Sequence, residues 1–596
     1  MKLNENDHLY RARHSLSHLL ASAVKELYPQ AQLGIGPPVD TGFYYDFVFP
    51  EPVAADTLLP ALESKMKDLV KRKIKFERFE LPGDEALKKL QAANEPYKVE
   101  LCREYIAAGE AISFYRSGDF TDMCEGPHIE TTGEIPKNSF ALDTLAGAYW
   151  RGDEKNVMMT RIYGLAFDTA EELELFKKRR ALAMERDHRK LGKQMQIFHI
   201  AEEVGKGLPL WLPNGTVLRD ELEKLAQEAE FRYGYKRVAT PHITRGLLYE
   251  ISGHLEHYKE SMYPPMMLDD EAYYMKPMNC PHHHMIYREI VRSYRDLPLR
   301  LAEYGSVYRY EKSGELAGLL RVRGMTMNDA HLYVTADQVR EETRKVMELH
   351  KYYYDLFGLE NYWLRLSVHD LAKDKFVDNI ASWEQTVGIL REVLKELGIP
   401  YSEVAGEAAF YGPKVDFQVT NVVGREETAS TNQLDFTSAE RFDLTYIDHE
   451  GHQQRPYIIH RAPLGTHERF ISFLIEHYGG AFPTWLAPVQ VVIVPVAPAL
   501  FDFAYKLRDQ LLALMIRVEV DDSGDSFNKK IRNAATSKAP NVLIVGQREA
   551  QEDKVTHRRY GVTEQTTLPF AEFLSWIQDE IRLRRNSKPV NPLDKM

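Results

Sequence analysis

From residue 489 onward the chain alternates short apolar runs with amphipathic stretches in a regular order that occurs nowhere earlier in it. Residues 489–494, 516–520 and 541–545 are strand-length and rich in β-branched side chains. Between them, 500–513 and 527–537 repeat apolar positions at helical spacing, and a last helix covers 570–582,. This βαβαβ order demands a small, largely parallel sheet, entered through Pro483 and Pro488. From about 196 to 486 the pattern differs: short aromatic strands are separated irregularly by helices such as 341–357 and 383–397, which favours an antiparallel α+β domain over a doubly wound one,. Two incompatible patterns require separate cores, and 596 residues at about 150 per domain suggest three to five.

The N-terminal part reads as a further α+β domain. Leu16, Leu19, Leu20, Ala23, Val24 and Leu27 recur at steps of three and four, so 14–27 is an amphipathic helix with His14 and His18 on one side of it,. A cluster of Gly34, Gly36, Pro37 and Pro38 follows, then an aromatic strand at 43–47 and a helix over 54–73,. Residues 171–195 are helical, charged and weakly apolar, as expected of a helix bridging domains. The expected divisions are therefore 1–170, 171–195, 196–486 and 487–596.

With 44% hydrophobic and 28% charged residues, the chain has enough apolar surface for real cores and no disorder signature. Its three cysteines, Cys102, Cys124 and Cys280, are too few for a disulfide framework, so each is a buried thiol or a ligand. The most apolar stretch, 489–496, is cut by Pro495 and too short to span a bilayer,. The expectation is a cytoplasmic protein without a membrane partner. A net charge of −12 argues against nucleic acid, but Lys177, Lys178, Arg179, Arg180, Arg186, Arg189, Lys190 and Lys193 form a basic segment, and Arg582, Arg584 and Arg585 another. Without other information these are solvated helix faces.

Three middle segments concentrate chemistry: MKPMNCPHHH (275–284), GSVYRYEKSGELAGLLRVRGMTMNDAH (305–331) and IIHRAPLGTHERF (458–470). Neither a Walker A sequence nor a strand-linked G-x-G-x-x-G is present, so a bound nucleotide triphosphate would be gripped by arginine side chains. Arg-x-Glu at Arg309 and Glu311, Gly-x-x-x-Arg at Gly465 and Arg469, and Pro241 after a long helix resemble motifs 2, 3 and 1 of the class II aminoacyl-tRNA synthetases. With MNCP, RVRG, DAH, FYGPK, QLDF and TWLAPVQV in order around them, the chain resembles the threonyl-tRNA synthetase family from about His14 to Arg584. The resemblance implies an α+β multidomain fold: a class II antiparallel sheet flanked by helices, an N-terminal α+β editing domain and a C-terminal α/β anticodon-binding domain.

It further implies that Arg309 grips the α-phosphate of ATP, Glu311 the adenine amino group and Arg469 the γ-phosphate, with Mg²⁺ accompanying ATP. Arg323, Asp329, Tyr411, Lys414 and Gln433 would bind substrate. A lone cysteine or histidine is more often a packed residue, and spacing does not pair Cys280, His331 and His460; by resemblance they are the ligands of one zinc ion per subunit, which would read L-threonine. The pairing of His14 and His18 with Cys124 and His128, together with Lys98 and Asp122, is similar to the editing site shared by threonyl- and alanyl-tRNA synthetases, where histidines and cysteine could hold a metal or activate water. Arg532, Glu549 and Arg558 match anticodon-reading positions, and the basic helix gains tRNA(Thr) as a partner. A homodimer is implied, and so is a form that begins almost directly at the editing helix, without the small ubiquitin-like domain. Met327, Thr428, Ser430 and His282 depart from the family pattern where threonine and adenosine would sit, and Gly524 stands where an asparagine is usual. The alternatives are a divergent paralogue with altered amino-acid or inhibitor response and a noncatalytic RNA-binding regulator, which retention of Arg309, Arg469 and the three ligands opposes.

Overall fold

The computed structural model describes residues 7–370, 379–420 and 426–586. It divides into two compact units, one ending at Arg179 and the other starting at Arg180.

In the first unit the helix His8–Leu27 lays Leu16, Leu19, Leu20 and Val24 against Phe43, Phe47, Leu62 and Ile162. Those residues come from the helix Ala55–Lys71 and a five-stranded sheet centred on strands Gly42–Val48 and Met158–Ala166. A second, three-stranded antiparallel sheet of Phe76–Leu81, Ile112–Ser117 and Phe120–Met123 carries the helices Gly83–Ala92 and Pro96–Ala108.

The second unit is built on an eight-stranded sheet. Across it run Lys236–Arg237, Leu299–Tyr308, Gly324–Val334, Tyr457–Ala462, Glu426–Asp435, Lys414–Thr420, Tyr362–Val368 and Tyr401–Ala405. Every pairing is antiparallel except those of the first and last strands. The apolar face of this sheet packs on the helices Pro213–Arg232, Val339–Phe357 and His467–Tyr478 through Leu222, Leu332, Tyr353, Ile459 and Phe470.

The same unit ends in a five-stranded sheet that corrects the sequence reading. Val518–Val520, Val491–Pro495 and Asn541–Val545 are parallel as expected, but two further strands, Lys554–Arg559 and Gln565–Pro569, join antiparallel. The first of these is largely charged and the second largely exposed, so neither carries an apolar alternation,. The expected bridging helix is also two helices, Ala170–Arg186 and His188–Gln194. Asp187 leaves helical geometry (φ −48°, ψ 122°) and its carboxylate caps the second helix by accepting the Arg189 N–H at 2.7 Å,.

Among the described residues no helix is long and apolar enough to cross a membrane.

Candidate functional site

Register builds the centre of the large sheet. His331 stands directly opposite His460, His460 opposite Gln433, and Gln433 opposite Lys414. Directly opposed residues share a face, so four strands present one transverse row of side chains. Cys280 joins it from the start of the helix Cys280–Arg288. Ligand atoms of Cys280, His331 and His460 all lie within 4.8 Å of one another, and the two imidazole centroids are 4.5 Å apart.

The donors fit a metal. His331 is fully buried and its Nε2 has no hydrogen-bond partner among the described residues, while Nε2 of His460 is held by the Asp435 carboxylate at 3.0 Å, leaving Nδ1 for coordination. One thiol and two imidazoles form a zinc donor set with an open fourth position. Burial raises the Cys280 thiol pKa, so uptake of a metal there must expel a proton. Asp329, two residues before His331 on the same face, is hydrogen-bonded by the Asn279 amide at 3.1 Å. Gly305 lets that asparagine come close, since a Cβ there would sit 2.2 Å from its side-chain oxygen. Tyr411 stacks on His460 with centroids 5.3 Å apart and donates to Gln433 at 2.5 Å, and Lys414 pairs with Asp416 at 3.0 Å.

The arginines expected to meet phosphate are tied mainly to carbonyls. Arg309 Nε donates to Pro277 O at 3.4 Å, and Arg469 donates to Leu320 O and Thr428 O at 3.2 and 3.3 Å. Burial lowers the Arg469 pKa, and the charges of Arg309 and Arg321 push it the same way. Cations gathered in this way can attract an anion. Glu311 accepts from Arg321 at 2.7 Å, and its carbonyl accepts from Arg323 at 2.9 Å. The connecting loop is anchored by His188, whose Nε2 accepts the Leu319 N–H at 3.1 Å while its Nδ1 meets Glu476 at 2.8 Å.

One expectation fails. Thr428 and Ser430 were both expected at the substrate face, but the ladder slips beside Ala429: Phe417 faces Ser430 and Gln418 faces Thr428. This bulge puts them on opposite faces. Thr428 accepts the Gln418 amide at 2.8 Å, whereas Ser430 turns into the core behind the sheet, within 3.1 Å of His350 Nδ1 and 2.9 Å of Tyr354 OH. Gly465 passes over the bulge, where a Cβ would lie 2.7 Å from the Ala429 carbonyl.

In the first unit, five of the six expected residues line one cavity of about 270 Å³, and the sixth, His128, borders it through Cys124. Cys124 Sγ lies 3.3 Å from His14 Nε2 and 3.4 Å from His128 Nε2, and the His18 and His128 rings are 5.1 Å apart. Lys98 and Tyr45 both donate to Asp122, at 3.0 and 2.5 Å. Burial holds His14 and His18 neutral, with pKa values of about 4, and pushes the Cys124 thiol up to about 12. Neutral imidazoles facing a polar cavity can accept a proton from water. The atoms of His14, Cys124 and His128 are also close enough to hold a metal.

The C-terminal residues are less convergent. Arg532 is exposed on the helix Phe527–Thr536, Glu549 is engaged by Gly546 N and the Thr556 hydroxyl at 3.1 and 3.0 Å, and Arg558 lies on the strand Lys554–Arg559. Sequence reasoning missed Asn279, His283, Glu303 and Asp435 as site residues. The first two lie within the quoted MNCPHHH and the last within QLDF, but nothing in a linear reading shows which side chains turn inward.

Three parts of the chain match known protein families. Residues 265–478 match the class II core domain of tRNA synthetases (G, H, P, S and T), 490–580 an anticodon-binding domain, and 112–163 the threonyl and alanyl tRNA synthetase second additional domain. The chain is similar to "Threonine--tRNA ligase" of Anoxybacillus flavithermus, 47% identical over 96% of this chain and 88% of that protein. It is also similar to that of Gloeobacter violaceus, 44% identical over 98% and 94%. Among solved structures, the RNA binding domain of threonyl-tRNA synthetase from Cryptosporidium parvum superposes with a TM-score of 0.63 and 33% identity, covering 66% of this chain and 98% of that one.

Proposed function

The chain belongs to the threonyl-tRNA synthetase family, and from that premise we propose how its own side chains divide the work of an ATP-dependent threonine--tRNA ligase. Arg309 and Arg469 hold the α- and γ-phosphates, Glu311 accepts from the adenine amino group, and Mg²⁺ accompanies the nucleotide. The threonine carboxylate attacks the α-phosphorus in line and pyrophosphate leaves, a step that needs positioning and charge neutralisation and no protein nucleophile. The threonyl group then passes from the adenylate to the terminal ribose of tRNA(Thr). Arg323, Asp329, Tyr411, Lys414 and Gln433 orient the amino acid and the phosphate. Cys280, His331 and His460 would hold one zinc ion per subunit, which when bound supplies an open coordination position to the substrate amino group and β-hydroxyl.

This division explains selectivity. A site that engages the hydroxyl rejects valine by roughly 10⁴ to 10⁵, but serine differs by one methyl, worth only about 1–3 kcal/mol. Seryl-tRNA therefore forms, and its hydrolysis is the task of the first unit, with His14 and His18 activating water and Lys98, Asp122, Cys124 and His128 shaping the pocket. Arg532, Glu549 and Arg558 read the anticodon, the two basic helices flanking Asp187 follow the tRNA backbone, and two chains pair through the helix Pro213–Arg232 and Pro241 in the cytoplasm.

The observation that carries the reading is the transverse row joining His331, His460 and Gln433 beside Cys280. Pyrophosphate exchange with threonine, serine and valine tests it, followed by charging of threonine tRNA. Exchange is expected with threonine, weakly with serine and not measurably with valine; exchange with another amino acid, or none with threonine, overturns it. His14→Ala combined with His18→Ala is expected to accumulate seryl-tRNA while threonine exchange is unchanged. Undiminished deacylation by that variant would remove the editing assignment.

A further inference from the structure

We infer that His283 is a positioning residue that, backed by Glu303, orients His331 and selects Nε2 as its coordinating atom; this rests on the metal reading above. The three consecutive histidines after Cys280 and Pro281 have three different surroundings. Neither ring nitrogen of His282 finds a partner among the described residues, and Nδ1 of His284 meets the Tyr333 hydroxyl at 2.9 Å. His283 alone bridges two polar groups: its Nδ1 lies 2.8 Å from His331 Nδ1, and its Nε2 lies 3.2 Å from Glu303 Oε2. It is fully buried. Cys280 and His283 are three apart on one helix, hence on one face, so the same turn delivers a candidate ligand and the support for another.

The far end of the chain is anchored. Glu303 is buried, accepts the Thr240 N–H and hydroxyl at 2.8 and 2.9 Å, and has Lys276 Nζ at 3.7 Å. Burial opposes its ionisation, but His283, Lys276 and Thr240 outweigh it and bring its pKa to about 2. A carboxylate can only accept, so Nε2 of His283 carries a proton and donates it. With its Nε2 turned to Glu303, His283 has Nδ1 left for the 2.8 Å contact, which engages His331 at Nδ1. That leaves Nε2 as the ring nitrogen of His331 with no hydrogen-bond partner among the described residues.

The order Glu303, His283, His331 thus fixes which ring nitrogen of His331 is engaged and which is free to coordinate. His460 is supported by a carboxylate directly, through Nε2, so the two histidines would coordinate through different nitrogens. Outer partners of this kind fix tautomer and ring orientation, and removing one typically costs 10–100-fold in metal affinity.

The test is zinc affinity of the full chain by chelator competition, with pyrophosphate exchange measured alongside. His283→Leu is expected to bind zinc about 10–100-fold more weakly than the parent, and excess zinc to restore exchange, which it will not do for Cys280→Ser. His283→Gln, whose amide keeps a donor and an acceptor, is expected to fall between parent and His283→Leu. Should His283→Leu fail to fold, His283→Gln and Glu303→Gln carry the test. Affinities equal to the parent's in the folded variants overturn the inference and leave the metal reading standing. A parent that retains no zinc against the chelator defeats the metal reading itself.

Discussion

Behind the row of His331, His460 and Gln433, on the other face of the same strands, lies a buried charge whose removal has a calculable effect. Arg461 donates to Glu230 at 2.8 Å and to Asn328 at 3.3 Å, Asn328 donates to Glu230 at 3.0 Å, and the guanidinium sits 4.4 Å from the Tyr235 ring. The Arg461 and Glu230 side chains are 0% and 2% exposed. An arginine does not escape by losing its proton, so Glu230→Leu strands a cation in the core, which costs about 3–5 kcal/mol. A unit of roughly 400 residues unfolds with an entropy near 0.85 kcal/mol/K, taking about 2.1 cal/mol/K per residue, so the expected fall in Tm is about 4–6 °C. Calorimetry of the full chain at fixed scan rate reads it, the relevant transition being the one that ATP and threonine raise. Replacing all three polar partners (Glu230→Leu, Asn328→Leu and Arg461→Met) removes the charge as well as its partner, and that variant should melt above the single one. A single variant within about 1 °C of the parent, or a triple variant less stable than the single, would refute the reasoning.

Two further outcomes follow from the sites. Burial lowers His14 and His18 to about 4 from 6.5, so on acidification the unfolded chain takes up protons first; the stability of the first unit is intact above pH 6.5 and is lost as the pH falls toward 4, by on the order of 3 kcal/mol per histidine. Urea unfolding of that unit between pH 7.5 and 4.5 measures this, and a flat profile contradicts it. Ser430→Gly leaves His350 and Tyr354 short of a partner, so it should cost about 1–3 kcal/mol of stability and leave the KM for threonine unchanged; exchange kinetics that shift without a change in Tm would put Ser430 back at the substrate.

The comparison between sequence and structure turns on which physical signal each residue carries. The helix at 14–27 is legible because Leu16, Leu20 and Val24 repeat at helical spacing, although it begins six residues earlier, at His8. The strand Lys554–Arg559 is not legible, because its pairing rests on backbone hydrogen bonds and on Val555 as its one fully buried apolar side chain. Asp187 looks like one more charge in a charged helix until its own geometry shows it capping the next. The pairing of Cys280, His331 and His460 needed a family resemblance, since the strand register that makes two of them neighbours has no local trace. Ser430 was misplaced because alternation presumes an unbroken ladder, and the slip beside Ala429 breaks it.

That slip also says something about length. The strand Glu426–Asp435 holds one residue more than its partner Lys414–Thr420 requires. Deleting Ala429 would leave Thr428, Ser430, Thr431 and Gln433 each on its present side. What would move is the Thr428 carbonyl that holds Arg469, drawn along the strand by up to about 3.3 Å. The surplus residue thus acts as a spacer, setting the reach of the arginine proposed to grip phosphate without contributing a side chain to either face.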